Sequence, residues 1–191
     1  MKTSIDSALS FFKQKLGLFP LAATGGNTVS TNIIVSGYSH TQRGGDQRRF
    51  SDGLSRRHAG ILYADVASYS RLSEQDEEGT HRRLLESMKV MEAHVTANDG
   101  RVVRTAGDAI LAEFKDVDTA LQCAVNVQLA ARDLNDRLHV NQRVLFRIGI
   151  NFGEVIADNG DIFGNAVNLA ARLEKLANSG GICVSESVRS E

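Results

Sequence analysis

Tryptophan is absent from these 191 residues, proline occurs once (Pro20), and cysteine twice. A chain with a single proline is free to build long uninterrupted helices and strands. Cys123 and Cys183 lie far apart, match no zinc spacing and sit in apolar surroundings. They read as buried thiols of a reducing compartment and exclude a disulfide scaffold or a cysteine metal site. No apolar run approaches the roughly 20 residues of a transmembrane helix, so membrane contact is not expected and a cytoplasmic location is. A formal net charge of −1 gives no general attraction for nucleic acid. With 42% hydrophobic and 24% charged residues, the chain has the material for a core and is not disordered overall.

The charge is unevenly spread. Residues 1–57 carry eight Lys/Arg against three Asp, and the remainder fourteen against twenty Asp/Glu, a balance of about +5 and −6. This divides an N-terminal extension, 1–57, from a domain over 58–191. Within the extension, residues 4–19 can form a short amphipathic helix on Ile5, Leu9, Phe12, Leu16 and Phe19, while Lys13 and Lys15 interrupt any secretory core. Residues 21–57 are rich in Gly, Ser, Thr, Asn and Arg and read as a largely flexible linker. Gly44-Gly45-Asp46-Gln47 superficially matches a diguanylate cyclase signature, but no strand pattern flanks it.

From residue 58 strands and helices alternate. Ile61–Val66 is an apolar strand. A helix is expected over 74–98, opened by a Ser73/Asp76 capping box, carrying Leu84, Leu85, Met88, Met91 and Val95, and stopped at Asn98-Asp99-Gly100. Residues 101–105 and 110–114 read as a hairpin, and 117–138 as a second helix. Val144, Phe146, Ile148 and Ile150 alternate as a strand; Gly153 is expected to break it, with 154–157 as its hairpin partner. A third helix over 164–178, a strand at 182–184 and a helix from Ser185 complete the series. The pattern predicts an α+β fold, with helices on one face of a mixed, largely antiparallel sheet.

Two aspartates stand where the sheet would bring them together: Asp65 ends the first strand and Asp108 lies in the hairpin turn. Such a pair can hold Mg²⁺ or Mn²⁺ on a phosphate substrate, and each also reads as an ordinary cap or turn residue. Val66-Ala67-Ser68-Tyr69-Ser70 is small and polar, and its backbone N–H groups are candidates to cradle a triphosphate. On the third helix Asn168 and Arg172 share a face, suited to a ribose and to phosphate oxygens or simply to solvent. Asp161 precedes that helix as a candidate site residue or a cap.

Four segments in order, Ile61–Leu72 (ILYADVASYSRL), Arg104–Ala109 (RTAGDA), Phe146–Val155 (FRIGINFGEV) and Asp161–Glu174 (DIFGNAVNLAARLE), resemble the catalytic domain of class III adenylate/guanylate cyclases, in its bacterial, adenylate cyclase-like branch. The resemblance covers residues 58–191. It implies a ferredoxin-like βαββαβ core and conversion of ATP to 3′,5′-cyclic AMP and pyrophosphate with two Mg²⁺ or Mn²⁺ ions per site. On the matching positions, Asp65, Asp108 and the Val66 carbonyl would hold the metals. Arg172 would stabilise the transferring phosphoryl group, Asn168 would orient the ribose, and Ala67, Ser68, Tyr69 and Ser70 would meet the triphosphate. Asp161 would read the adenine amine and repel the guanine carbonyl. The family's sites are shared between two subunits, so a head-to-tail homodimer is implied.

Two departures accompany the resemblance. The family's usual adenine-reading lysine is Arg104 here, larger and planar, able to donate to adenine or to pair with Asp161 and close the base pocket. The family's last hairpin, with its basic triphosphate contact, lies past Glu191, so the domain is truncated at the C-terminus relative to the pattern. The readings that follow are an adenylate cyclase, or else a weak or inactive cyclase-like nucleotide-binding and dimerisation module, or a guanylate cyclase.

Overall fold

The computed structural model describes residues 33–36 and 54–190; the helix expected over 4–19 lies outside them. At the centre is β2 (Ser55–Val66), whose residues Ala59–Leu62 are buried on both faces. Successive strand residues point to opposite sides, and the two sides of β2 meet different partners. Leu62, Ala64 and Val66 join a large core with residues of α2 (Glu77–Ala97) and α3 (Val117–Asn135). Ala59 and Ile61 join a second core with Val167 and Ala170 of α4 (Asn165–Leu176). The third helix therefore covers the face opposite α2 and α3, rather than sharing theirs.

The other strands are β1 (Ile33–Ser36), β3 (Arg101–Ala106), β4 (Ala109–Phe114), β5 (Phe146–Asp158), β6 (Asp161–Phe163) and β7 (Ile182–Ser185); short helices α1 (Tyr69–Gln75) and α5 (Glu186–Ser190) complete the set. They form one seven-stranded sheet in the order β1-β7-β5-β2-β4-β3, with β6 on β5. β2 is antiparallel to both β4 and β5, whereas β5–β7 and β7–β1 are parallel. The β2-α2-β3-β4-α3-β5 portion is the ferredoxin-like core expected from the sequence.

Several expectations are corrected. β2 starts at Ser55, ahead of the apolar run, because residues 55–60 pair with β5. β5 runs unbroken for 13 residues through Gly153, and its hairpin partner is β6. The helix expected from Glu74 is two helices, α1 and α2, separated at Asp76. Asp76, not Ser73, caps α2 by accepting the Gly79 N–H at 2.9 Å. Leu85 leaves the buried stripe and is 47% exposed. Within the stretch read as a linker, residues 33–36 are a strand, and Ile34 packs against Leu173, Ala177 and Cys183. Both cysteines are free and buried, and burial pushes the Cys123 thiol up to about 12 and Cys183 to about 11. No helix among the described residues is long and apolar enough to cross a membrane.

Candidate active site

The antiparallel register of β2 and β4 pairs Ala64 with Ile110. It therefore brings Asp65, at the end of β2, beside the β3–β4 turn that holds Asp108. Gly107 opens that turn with φ +62, a conformation in which glycine avoids a side-chain clash. The two candidate metal-binding aspartates thus meet at one end of the sheet, both half-buried.

β5 supplies what the sequence reading missed. Arg147 lies opposite Asp65 in the β2–β5 register. Its Nη2 donates to both Asp65 oxygens, at 2.9 Å and 2.8 Å, and its Nε donates to Oδ1 at 3.1 Å. Behind it stands Glu174 of α4, 1% exposed, with Oε1 2.9 Å from Arg147 Nε. That oxygen lies off the N–H direction and receives no hydrogen bond. Burial and then the adjoining Asp65 carboxylate push Glu174 up to about 8. Burial pulls Arg147 down, but Asp65, Glu174 and Asp108 outweigh it and hold the guanidinium above its usual value. The signal for Arg147 was present: it occupies the polar phase of the β5 alternation, where an arginine on a half-buried face needs a carboxylate partner. Glu174 gave no such signal, since a glutamate on an amphipathic helix is usually solvated.

After Val66, itself 2% exposed, the chain turns sharply. Ser68 adopts a left-handed conformation (φ 57) before α1 begins at Tyr69. The Ala67 N–H is already donated to the Leu145 carbonyl at 2.8 Å. Of the four residues expected to cradle a triphosphate, Ser68, Tyr69 and Ser70 retain amides at the open first turn of a helix.

A second constellation forms between β3 and β6. Arg57 and Arg101 clamp the buried Glu113 of β4, with Arg57 at 2.9 and 3.0 Å and Arg101 at 2.7 Å. Arg101 also donates to the Gly160 carbonyl at 2.5 Å, anchoring the β5–β6 turn. Asp161, the next residue, is thereby held beside β3, where its Oδ2 meets Arg104 Nη1 at 2.7 Å. Asp161 Oδ1 accepts the Ile162 N–H at 2.7 Å, and the Arg104 guanidinium lies 5.9 Å from the Phe163 ring centre. Asp161 is thus a strand residue, not a helix cap. The Arg104–Asp161 pairing, one of the two outcomes the sequence left open, is present. With side chains 45% and 31% exposed, it is a surface pair, of the kind worth about 0–1 kcal/mol.

Asn168 and Arg172 lie on exposed positions of α4. Neither side chain makes a hydrogen bond or ion pair among the described residues. Arg172 is two residues before Glu174, about 200° around the helix. Glu174 faces Asp65, so Arg172 and Asn168 face away from the Asp65–Asp108 end of their own chain.

Residues 55–190 match the family model described as the adenylate and guanylate cyclase catalytic domain. The chain belongs to this cyclase family. A cyclase-family protein of Rhizobium meliloti (strain 1021), carrying the provisional name adenylate cyclase 3, is 39% identical over 138 residues, 72% of this chain and 24% of that protein. The Streptomyces coelicolor (strain ATCC BAA-471 / A3(2) / M145) adenylate cyclase is 32% identical over 136 residues, 71% of this chain and 34% of its own length. The chain therefore spans about a quarter to a third of these curated relatives. Among solved structures, the adenylate/guanylate cyclase/hydrolase from Silicibacter pomeroyi superposes with a TM-score of 0.66 at 40% identity, over 72% of this chain and 80% of that one. The cyclase fold and the family's ordered motifs are thus present together in one domain.

Proposed function

We propose that this cyclase domain converts ATP to 3′,5′-cyclic AMP and pyrophosphate at sites shared by two copies of the chain. The observation that carries the reading is the meeting of Asp65 and Asp108 at one sheet end while Asn168 and Arg172 of the same chain face elsewhere. The acidic pair and the α4 pair serve one substrate if a second copy supplies one of them.

Among the described residues no three His, Cys, Asp or Glu side chains gather into a ready-made metal cage. Two half-buried carboxylates fit the other kind of site, in which Mg²⁺ or Mn²⁺ is held by one or two carboxylates together with substrate phosphates. Two such ions, held by Asp65, Asp108 and the Val66 carbonyl, would supply acidification of the 3′-hydroxyl and neutralisation of the triphosphate.

The chain's own residues do the rest. The amides of Ser68, Tyr69 and Ser70 bind phosphate oxygens at the open turn of α1. From the second copy, Asp161 Oδ2 accepts from the adenine exocyclic amine, and Arg104 donates to the neighbouring ring nitrogen, so the base enters by parting a weak surface ion pair. Guanine would set its carbonyl against the Asp161 carboxylate. Asn168 of the second copy orients the ribose, and Arg172 offsets the charge developing on the transferring phosphoryl group. The bond from the 3′-oxygen to the α-phosphorus forms as the bond to the bridging oxygen breaks. Pyrophosphate leaves with that electron pair, and the hydroxyl proton goes to solvent.

The Arg104–Asp161 contact favours one other reading, a cyclase-like module that binds nucleotide or pairs with another chain without turnover. Mass spectrometry of products from ATP and from GTP with Mn²⁺, beside Asp108→Ala, separates the two. Cyclic AMP that vanishes in the variant is the expected result. Cyclic GMP alone overturns the role of Asp161. Nucleotide binding without product supports the inactive module.

A further inference from the structure

Two arginines share one buried carboxylate, and one of them reaches further. Glu113 of β4, with 9% of its side chain exposed, lies between Arg57 of β2 and Arg101 of β3. Arg57 spends its Nε and Nη2 donors on the two Glu113 oxygens. Arg101 gives Nη2 to Glu113 Oε2 at 2.7 Å and carries Nη1 on to the Gly160 carbonyl. A guanidinium satisfies both at once because its donors are fixed in a planar fork. The turn it grips is the two-residue hairpin kind, with Asn159 and Gly160 both at positive φ (47 and 84). The strand that follows, β6, is three residues long and begins with Asp161.

The two oxygens of Asp161 are used differently. Oδ1 accepts the Ile162 N–H, which orients the carboxylate, and Oδ2 meets Arg104. A base that parts the Arg104–Asp161 pair removes that tie to β3. Among the described residues, the side-chain hydrogen bond from β3 to the β5–β6 hairpin that then remains is the one from Arg101.

We propose that Arg101 is a positioning residue for base selection: braced against Glu113, it fixes the Gly160 carbonyl and with it the place at which Asp161 meets the base. The inference rests on the reading of Asp161 as the group that meets the base. It adds that the preference for an amine over a carbonyl at that point is set by a residue that touches no nucleotide. Arg101, Glu113, Gly160 and Asp161 belong to one copy of the chain, so the bracing itself needs no partner.

Arg101→Met keeps the aliphatic stem and removes both contacts. The turn is released, Oδ2 is aimed less well at the adenine amine, and the repulsion of the guanine carbonyl slackens. Affinity for an adenine nucleotide falls while that for a guanine nucleotide holds or rises. The ratio of the two should shrink roughly three- to tenfold, with the surviving β5–β6 pairing limiting the loss. Arg57→Met is the matched variant: it also takes one partner from Glu113 but no hydrogen bond from the turn, so the ratio should hold. In each variant Glu113 keeps the other arginine, and no buried charge is stranded.

The test is calorimetric titration of the purified full chain with 3′-deoxy-ATP and with 3′-deoxy-GTP, neither of which can cyclise, in the presence of Mn²⁺. Affinities are scaled to the folded fraction measured by circular dichroism. A ratio that shrinks in Arg101→Met and holds in Arg57→Met bears the proposal out. A ratio that holds in Arg101→Met, or shrinks equally in both variants, overturns it and leaves a structural clamp. Asp161→Ala is the separate control. If it keeps the ratio of the unaltered chain, or if the unaltered chain shows no preference for the adenine nucleotide, the base-reading role of Asp161 falls and the proposal with it. If Asp161→Ala loses the preference and Arg101→Met keeps it, the proposal alone fails.

Discussion

Gly149 shows how much of the site rests on one missing side chain. α4 lies on β5 so closely that even a methyl group at 149 would meet the helix backbone, which cannot yield like a flexible side chain. Gly149→Ala should cost about 1–3 kcal/mol or more, as overpacking does, and should lift Glu174 away from Arg147. Urea denaturation measures the loss of stability. Gly153, four residues on, stands under Ala166, whose Cβ would be 3.0 Å from an added methyl. In the sequence this glycine reads as a strand breaker, because a glycine signals either a break or a close approach and only the partner distinguishes them. Asp65 and Asp108 were legible for a different reason: a strand end and a hairpin turn are local patterns. Glu174 was not, and Arg147 was legible only as an arginine needing some carboxylate, since which carboxylate it meets is a contact between residues far apart in the chain.

Between elements, the junction of α1 and α2 turns on Asp76. It accepts the Gly79 N–H and an Arg83 Nη2 donor at 3.1 Å, and these, backbone hydrogen bond first, hold its carboxyl below the ordinary 3.8. A carboxyl depressed in the fold stabilises it above the unfolded value and stops doing so as pH falls through the folded one. Asp76→Ala should therefore melt below the unaltered chain at neutral pH, with the gap shrinking as pH drops under about 4. Asp76→Asn, which keeps a capping oxygen but loses the charge, should fall between them. Thermal melts by circular dichroism across this pH range check all three. The sequence placed a capping box at Ser73 and one helix beyond it; spacing alone left Asp76 as the fourth residue of that box, whereas α1 begins directly after the left-handed Ser68 and ends before Asp76. Helix lengths elsewhere were closer, because apolar periodicity at α3 and α4 follows burial directly.

For the whole molecule, the opposed facing of the Asp65–Asp108 end and of Arg172 predicts that damage to the two can be complemented. Asp65→Ala and Arg172→Ala chains should each be inactive alone. Mixed at equal amounts with free exchange, they should regain about a quarter of normal cyclic AMP production, since half the dimers are mixed and each has one intact site of two. A coupled assay over a series of mixing ratios checks this, with mixed dimers verified by native mass spectrometry. No recovery in verified mixed dimers would count against shared sites. The topology was legible at this scale because four motifs in order fall on successive strands and helices of a single family domain. The placement of α4 on the opposite face from α2 and α3 was not, because an amphipathic helix states that it is buried and not against which side.

The strand at residues 33–36 carries a consequence for solution behaviour. Its parallel pairing occupies the outer backbone groups of β7, which would otherwise stand as a template for any passing β-strand. A shortened chain beginning at residue 54 would keep every residue assigned here to chemistry, yet expose a four-residue apolar ledge, Ile182–Ser185, to its neighbours. Such a chain should turn cloudy at concentrations the longer one tolerates. A segment bearing none of the proposed site residues would then decide how densely the protein can be kept.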